Sequence, residues 1–212
     1  MIGDSGPWRE ELQKSSARLR RWSTQQRWTH RTYFLAERDI MMGAYAIRRL
    51  MDSGKTSSLL GARRYPVVQF PLTGRVPMTL DRFTPEDFYD LEKPTRGEIN
   101  VARLCNQVIH SFVFQIFLAE DETTAVMFVS DRDRARRLHS ISFEVISELF
   151  SYVAREDLLY REGTMRDGDE KITNISNHDL VEAGLAVYDD DDRVQITRLA
   201  AWPEASAASA RR

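Results

Sequence analysis

Three side chains of the types needed for acid–base and phosphate chemistry line up early in the stretch EINVARLCNQVIHSFVFQIFLAEDETTAVMFVS, residues 98–130: Arg103, Asn106 and His110. Arg103 and His110 are seven residues apart. On a helix they nearly eclipse, about 20° apart, with Asn106 one turn from each. An imidazole can act as base or acid near neutral pH, a guanidinium can stabilise charge developing on a phosphate, and an amide can orient either. Val101, Leu104, Cys105, Val108, Ile109 and Phe112 cover the other half of the wheel, so the line sits on the polar side of an amphipathic helix. Arg, Asn and His are also what the wetted side of any such helix carries.

The neighbouring elements decide where that line points. Beyond Ser111 the helical period gives way to short apolar runs, FVFQIFL and AVMFVS, separated by the acidic AEDETT. That pattern predicts a β-hairpin. Upstream, Thr29 to Asp52 predicts a long helix with Tyr33, Ile40, Ala44, Ile47 and Met51 on one stripe and Gly54 as its stop. Glu37, midway along it, could face inward and hold Arg103, or could belong to an ordinary exposed row. After the hairpin, Asp131 to Val153 predicts a second long helix burying Leu138, Ile141, Val145, Ile146, Leu149 and Phe150. Arg132, Arg134, Arg136 and Arg137 crowd its start and form the best local candidate for phosphate contact, a solvated cluster being the plain alternative.

The flanks are read more simply. In residues 1–28 Trp8, Trp22 and Trp28 alternate with arginines. Such tryptophans could stack on bases, but an anchor onto the body of the protein is the favoured reading. Gly54-Lys55-Thr56-Ser57 is a helix cap and turn, not a phosphate-binding loop. Residues 61–97 hold five of the seven prolines, which predicts extended or edge segments at Val67–Phe70 and Val76–Met78 and a short helix from Thr84 to Leu91. Residues 154–203 predict a small α/β appendage: a loop over Glu162–Lys171, a helix from Leu180 to Leu185, an acidic turn at Asp189–Asp192 and a strand over Arg193–Thr197. Residues 204–212, Ala- and Ser-rich, predict a disordered tail.

Arg103-x6-His110, with Asn106 between, resembles the R-x(4–6)-H motif of the HEPN superfamily of helical-bundle RNA-binding proteins and ribonucleases. The wider phrase RLCNQVIHSFVF, followed by a hairpin and by SDRDRARRLHSISFEVISELF, is similar to a bacterial subgroup of small HEPN-like proteins. The resemblance covers about residues 25–153. It implies a HEPN-like helical domain over 29–153 and a homodimer that brings two motifs together across a shared groove. It also implies a metal-independent endoribonuclease with Arg103, Asn106 and His110 as catalytic residues, no cofactor, and an antitoxin or defence-complex partner. Leu104 stands where the commonest form of the motif has a polar residue. That departure favours the alternative, a non-catalytic HEPN-like RNA-binding or protein-assembly module.

Composition bounds the rest. The 212 residues, 42% apolar and 29% charged, suit one well-buried domain with an appendage. A net charge of −2 gives no global nucleic-acid signature, so RNA would have to be met by a local patch. The single cysteine, Cys105, excludes an internal disulfide and suits a reducing cytoplasm. No apolar run approaches the length of a membrane span, and no His or Cys pair has metal-ligand spacing. The expected fold is therefore α+β and mostly helical, a helical bundle with a β-hairpin covering one end.

Overall fold

A computed structural model describes residues 2–119, 123–166, 169–190 and 193–197. Helix α1 spans Gly6–Trp22 and α2 spans His30–Asp52. Strands β1 (Arg64–Pro71) and β2 (Thr95–Asn100) flank a long irregular segment, and β2 runs straight into α3 (Val101–Ile109). Then follow β3 (Ser111–Leu118), β4 (Thr124–Ser130), β5 (Arg137–Ser142) and α4 (Phe143–Ala154). The hairpin β6–β7 (Leu158–Arg166, Asp169–Ser176), α5 (Asn177–Glu182) and the short hairpin β8–β9 (Ala186–Tyr188, Val194–Ile196) complete the chain.

The expected helical bundle is wrong. The centre is a five-stranded antiparallel sheet in the order β2-β1-β5-β4-β3, with four helices on one face: an α+β fold organised by its sheet. Three elements differ from the expected ones. The helix expected over Asp131–Val153 is a turn, the strand β5 and only then α4. β5 lies between β1 and β4, and Leu138 to Ile141 are buried on both faces. A strand covered on both faces does not alternate, so its apolar residues merge with the helical period behind it. The boundary is a cap: Ser142 Oγ accepts from Val145 N at 3.3 Å.

The second difference lies in the proline-bearing segment, expected as an edge. β1 is interior, yet carries Pro66 and Pro71. It pairs with β2 over Arg64–Gln69 and with β5 over Val68–Pro71, so each proline lies where only one side is paired and no ladder donor is lost. Third, Glu162–Lys171, expected as a loop, belongs to the β6–β7 hairpin. The helix expected from Thr84 is one 3-10 turn, Pro85–Asp87. The tail 204–212 lies outside the described residues, as do parts of both acidic turns.

The helix layer has clear sequence causes. Thr29 caps α2 by accepting from Thr32 N at 3.2 Å. Gly54, with φ +60°, closes it, Lys55 N reaching Leu50 O at 2.9 Å and Gly54 N reaching Met51 O at 3.0 Å. Asn100 caps α3 from the end of β2, accepting from Arg103 N at 2.8 Å. α1 packs on α4 through Leu12, Leu19 and Trp22, all buried, and through Ser16 and Ser147, each hydroxyl bonding the other's carbonyl. Gly43 lets the Phe150 ring lie directly on α2, where a Cβ would overlap it. On the sheet's opposite face, the segment after β1 lays Phe88 and Tyr89 over Phe70, Val113, Val129 and Leu138.

Candidate nucleic-acid interface

α3 and the β4–β5 turn meet at one end of the sheet, and that meeting joins two stretches far apart in sequence. Asp133, in the turn, takes Arg103 of α3 at 3.2 Å on one oxygen and Arg136 of its own turn at 3.6 Å on the other. Gln107 locks the junction: its amide donates to Asp133 and its carbonyl accepts from Ser130 N at 2.7 Å. Arg134 pairs with Asp131 at 3.1 Å and lies over the Phe112 ring at 4.9 Å. Arg137 donates to Gln69 Oε1 at 2.5 Å. Arg132 is exposed and has no ion pair among the described residues. Five arginines against two aspartates leave these seven residues with a net charge of +3, in a chain whose overall charge is −2.

The polar line of α3 borders this patch. Arg103, Asn106 and His110 are all exposed. His110 is the C-cap residue of α3, where its carbonyl accepts from Asp131 N at 3.2 Å, so it too adjoins the basic turn. The guanidinium of Arg103 is turned toward Asp133. Arg103 is therefore not held by Glu37, which is exposed and makes no ion pair among the described residues. The arginines expected at a helix start instead occupy a turn and the first residue of β5.

His139, which has no His or Cys partner at metal-ligand spacing in the sequence, lies in the core. It sits on the helix-facing side of β5, opposite Phe128 and stacked on that ring at 5.6 Å, and is 2% exposed. Neither ring nitrogen has a hydrogen-bond partner among the described residues. Burial pushes its pKa down to about 4, and the charges of Arg103 and Arg137 push the same way, against Asp133. The imidazole is thus neutral at physiological pH. Its burial follows from β1 and β4 on either side, and nothing in R-L-H-S-I-S marks it.

A second polar cluster also escaped notice. Between α1 and α2 lies a cavity of about 440 Å³, with Trp8, Leu12, Met42 and Ala46 among its walls. Asp39, 2% exposed, is held there by Arg18 and by Arg38 at 2.8 Å. Both carboxylate oxygens are engaged, so the cluster is a closed electrostatic tie between the helices. Cys105 is buried and burial pushes its thiol up to about 12, which removes it as a nucleophile.

Among the described residues no group of three or more His, Cys, Asp or Glu side chains is placed to hold a metal, and no helix is long and apolar enough to cross a membrane. No family model matches the chain, and no curated protein or solved structure is significantly similar to it. The class is set by architecture alone: an α+β protein with one helix-covered antiparallel sheet and a basic end.

Proposed function

We propose that the protein binds RNA through the basic end of its sheet, with Arg132, Arg136 and Arg137 contacting phosphates and the exposed side of α3 beside them. The observation that carries this reading is the sharing of Asp133 by Arg103 and Arg136, which joins the arginine of α3 to the basic turn in one surface. Phosphate contacts dominate such binding and make it salt-dependent. Fluorescence anisotropy with single-stranded and hairpin RNA tests it. Arg132→Gln and Arg136→Gln should each weaken binding to every RNA and lower the slope of log K against log salt by about 1. Absence of binding at low salt, or an unchanged slope in both variants, refutes the reading.

Metal-independent cleavage by Arg103 and His110 is the second reading, favoured by the exposure of His110 and its lack of a partner among the described residues. The engagement of Arg103 with Asp133 weighs against it, because a transition-state phosphorane would have to displace a carboxylate. RNA cleavage in EDTA that is lost in His110→Ala would promote catalysis above binding; intact RNA in the presence of bound protein leaves binding alone. An antitoxin or defence-complex partner belongs to the same second rank.

A further inference from the structure

The two edges of the sheet are built differently. β2, at one edge, reads TRGEIN: short, with Arg96, Gly97 and Glu98 along it, and Glu98 lies 3.7 Å from Arg64 of β1. Charge and glycine on an edge strand discourage pairing with another chain. β3, at the other edge, reads SFVFQIFL: eight residues, six of them apolar, with no charge, proline or glycine. Its only ladder is with β4, and among the described residues no backbone hydrogen bond engages its outer side. An unprotected edge of this length is a template for a further strand.

Burial shows the same incompleteness. In β4 only Met127 is not fully buried, whereas in β3 only Val113 is. Phe114 and Ile116 on the helix-facing side, and Phe117 on the other, are left half-covered, and Leu118 is 49% exposed. The uncovered apolar surface continues onto the 3-10 turn Thr79–Phe83 and its cap: Met78 is 66%, Leu80 85% and Phe83 70% exposed. That turn is held to β3 by Gln115 Nε2, which donates to Phe83 O at 3.0 Å.

We infer that β3 is a self-pairing edge, and that two copies of this chain join there, antiparallel, into one continuous sheet. A second copy is the fitting occupant because the strand is its own complement. With the two-fold axis at Gln115, Phe114 faces Ile116 of the partner on the helix side, and Val113 faces the partner's Phe117 on the other. Opposite residues of an antiparallel pair share a face, so these apolar side chains meet apolar ones, Gln115 meets its own copy, and no like charges are opposed. Since each copy's Met78–Phe83 turn is held at its own Gln115, the same axis sets the two turns side by side and covers Met78, Leu80 and Phe83. This interface joins sheet edges and leaves the α3 surface and the basic turn free, so it stands apart from the RNA-binding reading.

The test uses the whole chain. Light scattering and sedimentation should give a dimer for the wild type. Phe117→Lys and Leu118→Lys should give monomers with unchanged far-ultraviolet circular dichroism; Leu118→Lys, at an exposed position, serves if the first variant misfolds. Because Cys105 is buried, a cysteine introduced on the edge is the only accessible thiol. Gln115→Cys should form a chain-to-chain disulfide under mild oxidation, and Arg96→Cys, on the β2 edge, should not. A wild-type monomer at every attainable concentration overturns the inference. So does a dimer that survives both lysine substitutions, or one that cross-links equally well through Arg96→Cys.

Discussion

Glu156, just beyond α4, is a carboxylate with no exposure in a position where it joins three elements. Its Oε1 accepts from Ser57 N at 3.0 Å, and the Arg9 guanidinium of α1 lies 3.5 Å from Oε2 without hydrogen-bond geometry. Arg9 itself is spent on the carbonyls of Val153 and Lys55. Burial therefore wins over the Ser57 amide and the Arg9 charge, and lifts the Glu156 pKa from the ordinary 4.5 to about 7. A group whose folded pKa is raised holds more protons folded than unfolded, so its stability contribution is complete below 4.5 and is lost as pH climbs through about 7. That loss amounts to about 3 kcal/mol. His139 acts in the opposite sense: its folded pKa is depressed from 6.5 to about 4, so stability is lost as pH falls through that window. Between 4.5 and 6.5 the two nearly cancel. Glu156→Gln copies the protonated acid, keeps the Ser57 bond and removes only the alkaline loss. Urea unfolding of both proteins across pH, at constant m, should show the variant gaining about 3 kcal/mol on the wild type between pH 4.5 and about pH 8. The variant alone should then show the acid decline of His139. A difference that stays flat with pH refutes both the burial argument and the sign.

Two further substitutions test the helix layer. Gly43→Ala should destabilise the fold by about 1–3 kcal/mol in spite of better helix propensity, because the Phe150 ring has to move; Phe150→Leu in the same chain should recover much of the loss, and a stable single variant would mean α2 and α4 pack otherwise. Asp39→Ala should cost about 3 kcal/mol, the low end for a broken buried pair because Arg18 and Arg38 both reach water, and denaturant midpoints that match the wild type would show the tie to be dispensable.

What the sequence disclosed divides by the range of the interactions that fix it. α2, with its Thr29 cap and Gly54 stop, and the β3–β4 hairpin were legible because neighbouring residues decide them. β5 was not. Its four buried residues are defined by β1 and β4, about 70 residues and about 15 residues away respectively, and nothing local separates them from the helix that follows except Ser142. Long-range pairing sets the environment that the local period is then taken to express. Once β5 was read as helix, the sheet lost its centre and the four remaining strands could not be joined.

The same limit governs the candidate interface. Arg103, Asn106 and His110 could be aligned on paper because a helix has a fixed period, and Arg132 to Arg137 stood out as a run. Their adjacency could not be foreseen, since it follows from α3 crossing the end of the sheet where β4 turns into β5. That placement supplies Asp133 in place of Glu37 as the partner of Arg103, and the exchange has a chemical consequence. An acid in the basic turn instead occupies the guanidinium and ties it into a surface of several arginines. The chemistry suggested by spacing is that of one bond made or broken; a patch of several arginines is the arrangement that the proposed phosphate binding requires.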